Sequence, residues 1–127
     1  MRTNSALLIL YLFWAMPNAH AADRVHAGQW QSTISVGGQT VTRSICLSAA
    51  DAALINGDAA SIRAFAEKTG APAGCAVKEL TIDGDQVTVR SICAGKESVG
   101  TTTYHGDRYE TVTNGIKAQA KRVGDCK

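Results

Sequence analysis

Four cysteines are the feature that most constrains how this chain can fold. They lie at widely spaced positions: Cys46, Cys75, Cys93 and Cys126. Cysteines that bind zinc or act in redox catalysis usually form close pairs such as C-x-x-C, whereas the nearest two here are 18 positions apart. An even number of distant cysteines instead predicts two structural disulfides in an oxidising compartment.

The N-terminal segment predicts such a compartment. Arg2 precedes an apolar run at positions 6–16, and the sequence AHA at positions 19–21 has the small-x-small pattern of a signal-peptide cleavage site. The run is too short for a stable membrane-spanning helix, which needs about 20 residues. We therefore expect residues 1–21 to be a signal peptide. Residues 22–127 are then one periplasmic or secreted domain without a membrane span.

The charge balance argues against a nucleic-acid partner. Arg2 is the only charged residue of the predicted signal peptide, so the rest of the chain carries 12 Lys and Arg against 11 Asp and Glu. Such a balance provides no electrostatic attraction to nucleic acid or to an anionic membrane. We expect neither as a partner.

Hairpin geometry ranks the three ways of pairing the four cysteines. Cys75 begins the run CAVKELTI, and the run QVTVRSIC returns to Cys93 after an Asp-Gly-Asp turn. A three-residue turn would place the two cysteines opposite each other, but the apolar alternation fits a two-residue turn, which moves Cys75 out of register by one residue. A bulge or an irregular start of the strand would allow both the two-residue turn and the pairing of Cys75 with Cys93. We expect Cys75 to pair with Cys93, which leaves Cys46 for Cys126.

The first two alternating runs predict a β-hairpin. GQWQSTISV and QTVTRSIC flank the pair Gly37-Gly38, a strong turn signal. A two-residue turn places Ile34 opposite Val41 and Trp30 opposite Ile45, so that the large apolar side chains share one face.

The remaining segments predict the fold class. Residues 48–70 change to a helical period, with Ser48 and Asp58 as N-caps and an Asn-Gly interruption between them. Five further alternating runs follow Cys75, separated by turn residues. We expect a mainly β fold of about seven antiparallel strands, with a short helical insertion after the second strand and two disulfides. Its sheet is either curved and open or closed into a small barrel.

Three residues predict a structural contact between the ends of the domain. Gly28 and Trp30 open the first strand and Arg122 lies on the last, which resembles the Gly-x-Trp and late arginine that close calycin barrels. In those barrels the arginine packs over the tryptophan. The role we expect for this trio is structural.

No motif in the chain predicts a catalytic or metal site. The sequence lacks a Gly-x-Ser-x-Gly elbow, a His-Glu-x-x-His helix and a phosphate-binding glycine loop. We therefore predict no cofactor and a noncatalytic binding module, for a small apolar ligand or an envelope protein partner. One alternative is a hydrolase that uses His105, Asp107 and nearby hydroxyls. A second alternative is a structural component of the envelope.

Several short segments resemble a known family of small exported proteins of Gram-negative bacteria. They are GQW (28–30), CLSAADA (46–52), the Cys75 and Cys93 pair, YHGDRYE (104–110) and KRVGDCK (121–127). In this order, together with the four cysteines, they resemble the family of domain of unknown function 3617 over nearly the whole mature chain. The resemblance implies a periplasmic or exported location and assigns no biochemical activity.

Overall fold

The computed structural model describes residues 23–127, so the predicted signal peptide lies outside the described residues. The strands and helices are β1 (Gly28–Val36), β2 (Gln39–Leu47), α1 (Ala49–Ile55), α2 (Ala59–Gly70), β3 (Cys75–Asp83), β4 (Gln86–Cys93), β5 (Lys96–Tyr104), β6 (Arg108–Thr113) and β7 (Ile116–Gly124). A 3-10 turn, Ala71–Ala73, joins α2 to β3.

The seven strands form one antiparallel sheet in the order β2-β1-β7-β6-β5-β4-β3. The sheet is curved but not closed, because β2 and β3 lie at its two edges and do not pair with each other. This confirms the predicted mainly β fold and selects the open sheet from its two alternatives. The barrel closure suggested by the Gly28, Trp30 and Arg122 pattern is not what these strands form.

The first hairpin has the predicted register. Trp30 lies opposite Ile45 and Ile34 lies opposite Val41. Gly37 and Gly38 both have positive φ, at 56° and 79°, which a two-residue type I′ turn requires at both central positions. The glycine pair therefore fixes the register of the whole β1–β2 hairpin.

A bulge resolves the register conflict of the β3–β4 hairpin. Near the turn, Ile82 pairs with Val87, as the two-residue turn requires. The register then shifts by one residue at Lys78, so that Cys75 lies directly opposite Cys93. This extra residue lets both the apolar alternation and the disulfide be satisfied.

Two capped helices make up the insertion after β2. The Ser48 hydroxyl accepts a hydrogen bond from the Asp51 amide, and the Asp58 carboxylate accepts one from the Ser61 amide at 2.9 Å. The Ser61 hydrogen bonds also lower the pKa of Asp58, because they stabilise its ionised form. Both N-caps are those that the sequence predicted.

The helices pack on one face of the sheet, here called the inner face. Trp30 is only 2% exposed and shares the core with Val25 and Ala120 and with Ile55 of α1. Since side chains alternate across a strand, residues in register with Trp30 also point to the inner face. The opposite face, here called the outer face, is not covered by a helix of the described residues.

The segment before β1 closes one end of this core. The backbone amide and carbonyl of Val25 both bond to the Asn56 side chain, at 2.9 and 2.8 Å. The buried Arg24 guanidinium donates to the carbonyl of Ile55, the last residue of α1, and to that of Gly57, just after the helix. These bonds satisfy a buried cation and the last carbonyls of a helix at the same time.

Each disulfide fastens one edge strand. Cys46 on β2 is bonded to Cys126 in the C-terminal tail, with Cα atoms 5.5 Å apart, and Cys75 on β3 is bonded to Cys93 on β4. Both expected pairings are present. The first bond closes a loop of 80 residues and the second a loop of 18.

Loop length predicts which disulfide contributes more to stability. Loop-closure entropy gives about 4.5 kcal/mol for the longer loop and about 3 kcal/mol for the shorter one. We expect a Cys46→Ser and Cys126→Ser double variant to lose more unfolding free energy in urea than a Cys75→Ser and Cys93→Ser double variant. The reverse order would contradict this account.

Candidate ligand-binding groove

A groove lies on the inner face between α2 and strands β4, β5 and β6. Its volume is about 500 Å³, within the range typical of small-molecule sites. The helix contributes Ile62, Phe65 and Ala66 to one wall. The groove is open to solvent along the part of the sheet that α2 does not cover.

Small side chains of the sheet create the space beneath the helix. Alternation brings Ser98, Gly100 and Thr102 of β5 to the inner face, and all three line the groove. A Cβ atom at Gly100 would lie 3.2 Å from the Thr113 hydroxyl, tighter than ordinary contact. Larger residues at these positions would fill the groove.

The lining is uncharged. Among the described residues that form it, apolar side chains alternate with hydroxyl groups, and none carries a carboxylate, ammonium or guanidinium group. The hydroxyls of Thr102 and Thr111 already bond to each other at 3.0 Å. Such a surface favours a neutral, mainly apolar ligand, because an ion would lose its hydration without gaining a countercharge.

An aromatic cluster closes the groove at the end near β6. Tyr104 lines the groove and its ring lies 5.9 Å from that of Tyr109, which in turn lies 5.4 Å from the ring of Trp30. Burial, together with the neighbouring Tyr109, raises the pKa of Tyr104 to about 12. The phenol therefore stays neutral near pH 7 and remains a hydrogen-bond donor.

The expected contact of Arg122 with the start of β1 takes a specific form. Arg122 lies opposite Trp30 in the sheet, and its Nε donates to the Ala27 carbonyl at 2.8 Å. Its guanidinium passes so close to Gly28 that a Cβ there would lie 2.5 Å from Nε. The Trp30 indole donates to the His26 carbonyl at 3.0 Å. All these contacts anchor β1 at the end of the sheet.

The structure does not pair the side chains of His105 and Asp107. The Asp107 carboxylate instead contacts Nδ1 of His26 at 2.7 Å, at a site where both side chains are more than half exposed. No local pattern predicts this pair, because the two residues are 81 positions apart. Within the described residues, the side-chain partner of Asp107 is therefore His26 and not His105.

His105 borders a second depression, of about 490 Å³, on the outer face. Its other lining residues include Arg108, Glu110 and Lys121, which are exposed to solvent. This depression is a solvated polar surface with both signs of charge. The groove on the inner face is the better candidate for a ligand, because partly buried side chains surround it.

Sequence reasoning did not identify the groove. The available signal was the set of small residues at alternate positions of β5, opposite a helix whose apolar stripe contains Phe65. A strand face made of Ser, Gly and Thr cannot fill the space under such a helix. That inference also needed the knowledge that α2, which packs along β3, faces β4 and β5 across the groove.

Within residues 23–127 no group of three or more His, Cys, Asp or Glu side chains is placed to hold a metal ion. No helix in the same range is long and apolar enough to cross a membrane.

Comparison with known proteins places the chain in a family. A family model described as a protein of unknown function, DUF3617, matches residues 25–126. The chain belongs to the DUF3617 family. The match covers all seven strands, both helices and the four cysteines of this DUF3617 domain, which confirms the resemblance noted from the sequence. No match was found among curated proteins or among solved structures.

The burial of Tyr104 predicts a loss of stability in alkali. Its folded-state pKa of about 12 lies above the ordinary value, so its contribution is complete below about pH 10 and is lost as the pH rises through about 12. Between about pH 9 and pH 11 this amounts to about 1 kcal/mol of unfolding free energy. In urea titrations over this pH range, the unfolding free energy of the Tyr104→Phe variant should fall by about 1 kcal/mol less than that of the wild type. An equal fall in both proteins would contradict the raised pKa of Tyr104.

Proposed function

We propose that the protein is a noncatalytic binding module that holds a small, uncharged, mainly apolar ligand in the groove between α2 and β4–β6. The observation that carries this proposal is a space of about 500 Å³ whose described lining has no charged group. Binding pockets of this size are usually apolar with a few polar groups that orient the ligand. Tyr104, Ser91 and Ser98 are the groups available for that purpose.

We also propose that the module acts in the periplasm, after removal of residues 1–21. Two disulfides are compatible with an exported protein, since such bonds persist in oxidising compartments. The signal-peptide pattern at the N-terminus supports the same route. In this proposal residues 22–127 form the single mature domain.

Native mass spectrometry of the protein purified from the periplasm tests both proposals. We expect a mature mass that begins at Ala22 and a second species that carries a copurified neutral molecule. An unprocessed chain would contradict the proposed location. An empty protein that also fails to bind the uncharged probe N-phenyl-1-naphthylamine would contradict the proposed ligand.

Two adjacent residues of β5 supply matched variants for this experiment. Ser98 faces the groove, whereas Val99 is 39% exposed on the outer face. We expect Ser98→Phe to weaken probe binding roughly tenfold or more, because the added ring occupies the apolar contact area. Val99→Phe adds the same ring to the other face and should bind like the wild type. Equal binding by all three proteins would show that the probe sits elsewhere.

A further inference from the structure

The two edges of the sheet differ in how they are protected against pairing with another strand. Exposed edge strands present free backbone groups, and proteins usually block them with bulges, charges, prolines or covering segments. At the β3 edge, Lys78 forms a bulge, and Arg63 of α2 donates to the Val77 carbonyl at 3.3 Å. Glu79, beside the bulge, bonds to Arg90 at 3.0 Å. The β3 edge is therefore blocked.

Within the described residues, the β2 edge has no bulge and no proline, and Arg43 is its one charged side chain. Its nine residues pair with β1 without a register shift and contain no proline. In a hairpin with a two-residue turn the hydrogen-bonded pairs alternate, beginning with the pair Val36 and Gln39 that flanks the turn. It follows that the backbone groups of Thr40, Thr42 and Ser44 point away from β1. They form a regular row of free donors and acceptors.

The side chains next to this edge define what can pair with it. Val41 and Ile45 point to the inner face and are 49% and 46% exposed. Arg43 lies between them on the same face, and no carboxylate within residues 23–127 forms an ion pair with it. The edge thus presents an apolar, a cationic and a second apolar side chain at alternate positions.

We propose that β2 is a strand-addition site for an extended segment of another protein with the pattern apolar-x-acidic-x-apolar. Such a segment would bond to the free backbone groups of β2 and would place a carboxylate opposite Arg43. Its apolar side chains would cover Val41 and Ile45. The inference is independent of the groove, which lies across the sheet under α2.

A second copy of this chain fits the same edge poorly. In the centred antiparallel register, Arg43 would lie directly opposite the Arg43 of the other copy. Residues 41, 43 and 45 would occupy the closely spaced pairs, with Cα atoms about 4.5 Å apart, where like charges repel. Shifted registers would place each Arg43 opposite Val41 or Ile45 and leave both charges without a partner. A carboxylate on a different protein, placed opposite Arg43, would pair with its charge instead.

A titration with defined peptides tests the proposal. The probe is the blocked peptide Thr-Val-Thr-Glu-Thr-Val-Thr, added to the oxidised, isotope-labelled protein and followed by amide chemical shifts. We expect shifts at Thr40, Thr42 and Ser44. Replacement of the glutamate by lysine should weaken binding roughly threefold or more. N-methylation of the backbone amides of the two threonines next to the glutamate should abolish binding, because these N–H groups would bond to β2.

Protein variants supply the reciprocal controls. Arg43→Glu should reverse the preference, so that the lysine peptide binds more tightly. Lys121→Glu makes the same charge change on the outer face of β7 and should keep the original preference. Thr42→Pro should abolish binding while the fold is retained, because this amide does not bond to β1 and proline is tolerated on edge strands.

Three results would overturn the proposal. The first is equal affinity for the glutamate and lysine peptides, and the second is shifts confined to the groove or the outer face. The third is concentration-dependent dimerisation that Thr42→Pro abolishes, which would identify the occupant as a second copy. Should Thr42→Pro fail to fold, the N-methylated peptide still tests the backbone contribution.

Discussion

The chain must cross the full width of the sheet between β2 and β3, because these consecutive strands form its opposite edges. The connecting residues cannot pass through the sheet, so they run over one face as α1 and α2. This crossing decides which face is covered, where the core lies and why a groove remains beneath α2. The disulfides hold the two strands between which the crossing runs, at Cys46 on one edge and at Cys75 on the other.

Local features of the fold could be predicted from the sequence because they depend on neighbouring residues. The Gly37-Gly38 turn, the N-caps Ser48 and Asp58 and the bulged β3–β4 hairpin each follow from a short segment. The cysteine pairing followed from one hairpin register, which is also a local property. In each case the decisive contact joins residues close in sequence or on paired strands.

Apart from the Cys46–Cys126 bond and the contact of Arg122 with the start of β1, the long-range features could not be predicted, because they depend on strand order. An alternating pattern gives the face of each side chain but not which hairpins lie side by side. The position of α2 opposite β4 and β5 therefore could not be predicted, and the groove is formed by that arrangement. The His26 and Asp107 contact likewise depends on the parallel bridge between Val25 and Gly106, which nothing in either segment indicates.

The inner face carries the neutral groove and borders the β2 edge that we propose as a strand-addition site, whereas Arg108, Glu110 and Lys121 are exposed on the outer face. The most direct test of the central claim is a set of intermolecular nuclear Overhauser effects between bound N-phenyl-1-naphthylamine and the isotope-labelled protein. The account predicts contacts from the probe to Phe65, Thr102 and Val89, which line the groove. Contacts confined to Thr33, Gln119 and their neighbours on the outer face would contradict it.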